Sequence, residues 1–138
     1  LTVHESSLSP CVHSILAASI DRMPKAYEQY LRTARLDLDD YNHEVHEGCH
    51  ITSMAGTWMS VVQGFGGMRV WEDGILSFTP QIPTEWKSYS FKINFRGNII
   101  KVYKSQTECK FFNESGNDVK MMVNNKSVLI PSNQLVTV

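Results

Sequence analysis

The spacing of apolar residues changes once along the chain, near residue 67, and no other feature constrains the fold as much. Before that point, apolar side chains recur every three or four residues, as in helices. After it they alternate with polar ones, as in Tyr89, Phe91, Ile93 and Phe95, which is typical of strands with one solvated face. We therefore predict an α+β fold, with residues 1–67 helical and residues 68–138 forming a small antiparallel β-sheet domain.

Three helices are predicted in the first part. One begins at Ser9-Pro10, a second at Pro24, and a third ends at the glycine-rich residues 64–67, because proline favours a first helical turn and glycine a helix end. Leu38 is expected near the end of the second helix. Each helix has an apolar stripe that is expected to pack in a core. The stripe of the first helix comprises Val12, Ile15, Leu16 and Ile20, that of the second Tyr27, Tyr30, Leu31 and Ala34, and that of the third Met54, Trp58, Val61, Val62 and Phe65.

Turn-forming residues divide the second part into short strands. Asp73-Gly74 is favoured in a two-residue hairpin turn, and Gly97-Asn98 and Asn124-Asn125 mark further turns. Strands are also predicted at residues 108–112, 118–123, 127–130 and 135–138.

The composition excludes several classes of protein. A net charge of −1 gives no reason to expect a nucleic-acid partner, and no apolar stretch approaches the roughly 20 residues of a membrane span. The first residues lack the features of a signal peptide. Three widely spaced cysteines favour free thiols in a reducing compartment, so we expect a cytoplasmic protein.

An anion site is one hypothesis for the polar residues that flank the helices. His50 comes directly before the third helix, whose opening segment is rich in small residues. The unpaired N–H groups and the positive dipole end of a helix attract phosphate, and Ser6 and Ser7 would add hydroxyl donors. The alternative is that these residues are ordinary caps and turns, and the pattern alone favours this alternative.

Two other sites were considered. A metal site is not expected, because the spacing of the four possible ligands matches no standard motif; they are His43, His46, Cys49 and His50. A carbohydrate-binding sheet face would use aromatic side chains as stacking platforms, although such residues are more often core; they are Trp71, Trp86, Tyr89 and Tyr103. A metal-binding or carbohydrate-binding accessory domain therefore stays the alternative function.

Long blocks of the sequence resemble family 65 glycoside phosphorylases, which include maltose, trehalose and kojibiose phosphorylases. The similarity extends from residue 1 to about residue 105. It is carried by residues 4–10 (HESSLSP), 30–42 (YLRTARLDLDDYN), 50–58 (HITSMAGTW), 64–69 (GFGGMR), 86–91 (WKSYSF) and 95–98 (FRGN).

The resemblance implies that residues 1–67 are the last helices of an (α/α)6 catalytic barrel and residues 68–138 its C-terminal β-sheet domain. The chain is then expected to be a segment of a longer enzyme, with the rest of the barrel as its partner. A homodimer is also expected, since family members are often dimers.

The resemblance further implies phosphorolysis of an α-linked glucosyl disaccharide with inversion, giving β-glucose 1-phosphate; maltose is the commonest substrate. Inorganic phosphate is the co-substrate, and no cofactor is needed. The positions that match the family's phosphate contacts are Ser6, Ser7, His50, Ala55, Gly56 and Thr57. The glutamic acid that protonates the leaving sugar is expected upstream of this chain, so the acid role is not assigned to Glu5, Glu44 or Glu47. The isolated chain is therefore predicted to be inactive.

Overall fold

The computed structural model describes residues 6–41 and 43–138. The predicted site residues all lie within this part, whereas Glu5 lies outside it. The chain divides into two compact units, the first ending at Phe65 and the second beginning at Gly66. None of the described helices is long and apolar enough to cross a membrane.

The first unit contains three helices, as predicted. Helix α1 spans Ser9–Ser19 and α2 spans Met23–Ala34, each with a proline in its first turn. Helix α3 spans Ile51–Met59 and continues as a π-helical turn, Ser60–Phe65, while a short 3-10 turn, Val45–Glu47, precedes it. Leu38 lies outside α2 and is exposed, so its predicted place near the end of that helix is wrong.

Small residues form the contacts between these helices. A Cβ added to Gly56 in α3 would lie 2.8 Å from the Cβ of Cys11 in α1, and one added to Gly64 would lie 3.5 Å from the Cα of Ile15. The buried hydroxyl of Ser14 donates to the carbonyl oxygen of Ala26 at 2.8 Å, which joins α1 to α2. The helix backbones therefore approach closely where side chains are small.

The predicted core stripes of α1 and α3 are partly wrong, because several of their large side chains are exposed. The exposed fractions of Val12 and Leu16 in α1 are 50% and 57%, and that of Ile20, directly after the helix, is 64%. In α3, Met54 and Trp58 are half exposed, although Val62 and Phe65 in the following turn are buried. The apolar residues of α1 and α3 do recur at helical spacing. Within this unit, however, the faces of α1 and α3 that pack against each other are the ones made of small residues.

The second unit is made of two four-stranded sheets, where a single sheet was predicted. One sheet has the order β1-β2-β6-β7 and the other β3-β4-β5-β8. The strands are β1 Arg69–Val70, β2 Leu76–Phe78, β3 Ser88–Phe95, β4 Asn98–Ser105, β5 Cys109–Asn113, β6 Val119–Val123, β7 Lys126–Ile130 and β8 Leu135–Thr137. All pairs are antiparallel except β2 with β6, which the long connection through β3, β4 and β5 allows to run parallel.

The two hairpin turns with adjacent left-handed residues pin the strand register. Arg96 and Gly97, both at positive φ, form the turn between β3 and β4, one residue earlier than predicted. Asn124 and Asn125, also at positive φ, join β6 to β7 as predicted. The turn at Asp73-Gly74 is longer than two residues, because only Gly74 has a positive φ and its N–H donates to the carbonyl of Trp71.

One core lies between the two sheets. Its buried residues come from both: Leu76, Phe78, Met121, Val123 and Ile130 from one sheet, and Ile100, Val102, Cys109 and Phe111 from the other, with Val119 beside them. The buried side chain of Asn113 connects the sheets. Its Nδ2 donates to the carbonyls of Asn117 and Ile130 at 2.8 and 3.1 Å, and its Oδ1 accepts from the N–H of Ser115 at 3.0 Å.

The four aromatic residues considered for carbohydrate binding do not share one surface. Tyr89 is buried, and its hydroxyl donates to the carbonyl of Gln81. Tyr103 lies opposite Ser90, not Tyr89, in the β3–β4 register, so the two tyrosines point to opposite faces of their sheet. Trp86 packs edge-on against Tyr89, while Trp71 lies beyond β1 in the other sheet's hairpin. These placements argue against a common stacking platform.

Candidate functional site

The site is built around His50, which directly precedes helix α3. The N–H groups of Ser53 and Met54 both donate to the carbonyl of His50, at 2.9 and 3.1 Å, and so fix the start of the helix. The His50 side chain itself makes no capping hydrogen bond, and the N–H of Ile51 donates to the carbonyl of Cys49 at 3.0 Å. The positive end of the helix dipole lies at this end of α3, which suits it to an anion.

One carboxylate, that of Asp37, holds both the ring and the main chain of His50. Oδ1 of Asp37 lies 2.5 Å from Nδ1 of the imidazole, and Oδ2 accepts the backbone N–H of His50 at 2.9 Å. The other ring nitrogen, Nε2, lies 3.4 Å from a carboxylate oxygen of Glu44. The side chains of His50 and Asp37 are each 21% exposed, so the pair is accessible from solvent on one side.

This arrangement favours a charged imidazole. The hydrogen bond to Asp37 is the main cause that raises the pKa of His50, and Glu44 raises it further, while partial desolvation opposes both. The same hydrogen bond lowers the pKa of Asp37. Because each ring nitrogen faces a carboxylate oxygen, the geometry favours an imidazolium with N–H donors on both.

His50 opens into a cavity of about 370 Å³ between α2 and α3. Its polar lining contains the carboxylate of Asp37 and the hydroxyl-bearing residues of both helices; the full lining is Thr33, Ala34, Leu36, Asp37, Leu38, Cys49, His50, Ser53, Met54 and Thr57. A cavity of this size accommodates a small polar anion together with water.

The Ser6–Ser7 segment is joined to α3 by a hydrogen bond that spans 46 residues. Ser53, in the first turn of α3, donates its hydroxyl to the carbonyl of Ser7 at 2.8 Å. The hydroxyl of Ser6 accepts from the N–H of Leu8 at 3.3 Å, and its carbonyl accepts from Ser9. The structure thus places the carbonyl of Ser7 beside the first turn of α3, and the role of the Ser6 and Ser7 hydroxyls in anion binding stays a prediction.

Residues 55–57 lie further along α3 than the sequence suggested. The helix begins at Ile51, so Ala55, Gly56 and Thr57 fall in its second turn and not at its start. Ala55 is exposed, Gly56 is buried against Cys11, and Thr57 donates its hydroxyl to the carbonyl of Ser53 at 2.9 Å. Thr57 lines the cavity; the contribution of the other two to anion binding stays a prediction.

Asp37, Ser53 and Glu44 were not singled out as site residues from the sequence. Asp37 is 13 positions from His50, and no motif links the two. Ser53 could have been found as a first-turn serine, since such residues commonly make hydrogen bonds at helix starts. Within the described residues, no group of three or more His, Cys, Asp or Glu side chains is arranged to hold a metal ion.

Comparison with known proteins gives one consistent result. The sequence profile of the glycosyl hydrolase family 65 central catalytic domain matches residues 1–59, and that of the family's C-terminal domain matches residues 68–130. Maltose phosphorylase from Bacillus subtilis (strain 168) is 50% identical over 130 residues, which cover 94% of this chain and 17% of the relative. An α,α-trehalose phosphorylase from Thermoanaerobacter brockii is 42% identical over 135 residues, which cover 98% of this chain and 17% of that relative.

A solved structure agrees with these relatives. It carries a provisional assignment as a kojibiose phosphorylase from the human microbiome, and it superimposes with a TM-score of 0.90 at 36% identity. The match covers 99% of this chain and 20% of the solved one. The chain therefore spans about a fifth of the length of the proteins that it matches. With both family profiles matched, the chain belongs to glycosyl hydrolase family 65.

Proposed function

We propose that this chain is the C-terminal part of an inverting disaccharide phosphorylase and supplies its phosphate site through Ser6, Ser7, His50 and the N-terminal half of α3, including residues 55–57. The observation that carries the proposal is the His50 ring, which is hydrogen-bonded to Asp37 so that the charged form is favoured, beside the N-terminus of α3. A cation and a helix dipole that act on the same point favour a phosphate dianion.

In the proposed reaction, a phosphate oxygen forms a bond to the anomeric carbon of glucose as the glycosidic bond breaks. A glutamic acid protonates the departing sugar oxygen, and the products are β-glucose 1-phosphate and a free sugar. Phosphate is itself the nucleophile, so the general base that an inverting hydrolase needs to activate water is not required. The role of this chain is to bind and orient the phosphate; maltose is the proposed disaccharide, by similarity to the relative that is 50% identical.

We further propose that the rest of an (α/α)6 barrel covers the exposed apolar faces of the helical unit, residues 1–67. Val12, Leu16 and Ile20 lie one turn apart on α1, and Ile51 and Trp58 are exposed on α3. Large apolar side chains that are aligned on helices are normally buried against another element. This chain matches only about a fifth of the length of its relatives. The remaining four fifths are long enough to supply the helices that would cover these faces.

The acid glutamate is proposed to lie outside this chain. The side chain of Glu44 is 44% exposed and lies 3.4 Å from the His50 ring, and Glu47 lies in an exposed 3-10 turn. Neither environment is that of a carboxylic acid kept protonated by burial. The chain alone is therefore proposed to be inactive towards disaccharides. Its three unpaired cysteines support the proposal of a reducing, cytoplasmic location.

A chimaera tests this function directly. The segment of the Bacillus subtilis maltose phosphorylase that aligns with this chain is replaced by it, and phosphorolysis of maltose is measured at varied phosphate. We expect activity in the chimaera and a KM for phosphate that rises at least tenfold in its His50→Ala variant, since the cation that binds the anion is lost. The matched control is His46→Ala, because that side chain is 76% exposed and is not part of the cavity lining. Equal KM values in the two variants would contradict the proposed site.

A further inference from the structure

The two nitrogens of the His50 ring face different carboxylates, and the two contacts differ in kind. Asp37 binds the ring at Nδ1 and also binds the backbone N–H of the same residue, so that its single carboxylate group fixes the ring relative to the main chain. The contact of Glu44 with Nε2 is longer, 3.4 Å. The side chain of Glu44 is 44% exposed, about twice the exposed fraction of Asp37.

We propose that Asp37 is a positioning residue that directs Nε2 of His50 to the phosphate, and that Glu44 occupies the phosphate position until the anion displaces it. The inference rests on the proposed function, because it concerns the same site. Nδ1 is engaged by Asp37, so Nε2 is the ring nitrogen with a donor left for a ligand. The carboxylate oxygen of Glu44 stands in for a phosphate oxygen, since both are anionic acceptors of a charged N–H donor.

Displacement of Glu44 follows from charge. A phosphate dianion at Nε2 would lie beside the Glu44 carboxylate, and two like charges at such short range repel each other. Asp37 also carries a negative charge, but its two hydrogen bonds to His50 hold it on the far side of the ring. In the described part of the chain these two carboxylates are the charged groups in contact with the ring, and the thiol of Cys49 lines the same cavity.

The test is a nitrogen NMR titration of the imidazole in the 138-residue chain, with inorganic phosphate as the ligand. Three variants are compared with the wild type: Asp37→Asn, Glu44→Gln and, as the matched control, Asp39→Asn. Asp39 is two residues from Asp37 and binds Arg35 instead of His50. The spectra give the pKa of His50 without phosphate, the ring nitrogen that phosphate shifts, and the phosphate affinity.

We expect Asp37→Asn to lower the pKa of His50 and to weaken phosphate binding by about tenfold at neutral pH, because one charge-assisted hydrogen bond is lost. Glu44→Gln should tighten phosphate binding by about two- to fivefold, because an exposed competing charge is removed. Phosphate should shift Nε2 and leave Nδ1 in place, and Asp39→Asn should behave as the wild type.

The outcomes separate the two proposals. If the His50 pKa is the same in the wild type and Asp37→Asn, or if phosphate shifts Nδ1, the positioning role is overturned. Equal phosphate affinity in those two proteins also overturns it, although the phosphate site itself would stand. If Asp37→Asn lowers the His50 pKa but phosphate shifts no ring nitrogen in any protein, Asp37 positions the ring and the proposed function fails.

Discussion

Gly67 occupies a position where a side chain is excluded twice, by backbone conformation and by space. Its φ of +61° is in the left-handed region, which costs an L-residue with a Cβ about 1–2 kcal/mol. An added Cβ would also lie 2.5, 2.8 and 2.9 Å from the O, N and C atoms of Thr79, directly after strand β2. These are backbone atoms, so no rotamer change relieves the overlap, and overpacking of this kind costs about 1–3 kcal/mol. Gly67→Ala is therefore expected to destabilise the second unit by about 2–5 kcal/mol.

Gly97→Ala is the matched control. Gly97 has a φ of +81°, but nothing lies within 4 Å of an added Cβ, so only the conformational cost of about 1–2 kcal/mol applies. Urea unfolding, followed by the NMR signals of β4 and β5, measures both losses. At an m-value of about 1.5 kcal/mol/M, the midpoint for Gly67→Ala should lie roughly 1–2 M below that for Gly97→Ala. A variant that is unfolded without urea agrees with the same reasoning. Coincident midpoints would refute it, because the Thr79 overlap would then have no measurable effect.

Three other predictions follow from buried or shifted groups. Asn113→Ala should lower the free energy of unfolding of the second unit by about 2–4 kcal/mol in urea titrations, because it leaves three backbone groups without their side-chain partner. Asn117→Ala, at an exposed side chain, should change that free energy little. Ser14→Ala should cost the helical unit about 1 kcal/mol by the same assay. Asp37 raises the pKa of His50, so the stabilisation by the charged His50 ring is fully present below the ordinary value of 6.5 and is lost as pH rises through the raised pKa. The pKa of Asp37 is lowered, so the stabilisation by its carboxylate is present above 3.8 and is lost as pH falls through the lowered pKa. Amide exchange in the helical unit should show stability falling above pH 6.5, and falling less in Asp37→Asn.

Local signals in the sequence predicted the elements well. Proline at the start of α1 and α2 and the asparagine pair between β6 and β7 act within a few residues, so their consequences are visible without the fold. The order and pairing of the strands were harder to predict from the sequence. The parallel pairing of β2 with β6 joins segments about 45 residues apart, and nothing in the alternation of either strand indicates its neighbour.

Helical periodicity indicated which residues share a face, but not which face is buried within this chain. Gly56 and Ser14 pack at helix contacts because small residues let backbones approach, whereas Leu16 and Trp58 are exposed. The same limit applies to the site. His50 and Ser7 were proposed from the sequence because both flank helices, whereas Asp37 contacts His50 through the turn that follows α2, which no local signal indicates.

A phosphate titration of this chain tests whether phosphate binds at His50; it is followed by the NMR signals of the His50 ring and the amides of Ser7, Thr52 and Ser53. We expect saturable shifts that are confined to this end of α3, and their loss in His50→Ala. Shifts that are absent at tens of millimolar phosphate in a folded sample, or that persist unchanged in His50→Ala, would contradict a phosphate site at His50 in this chain.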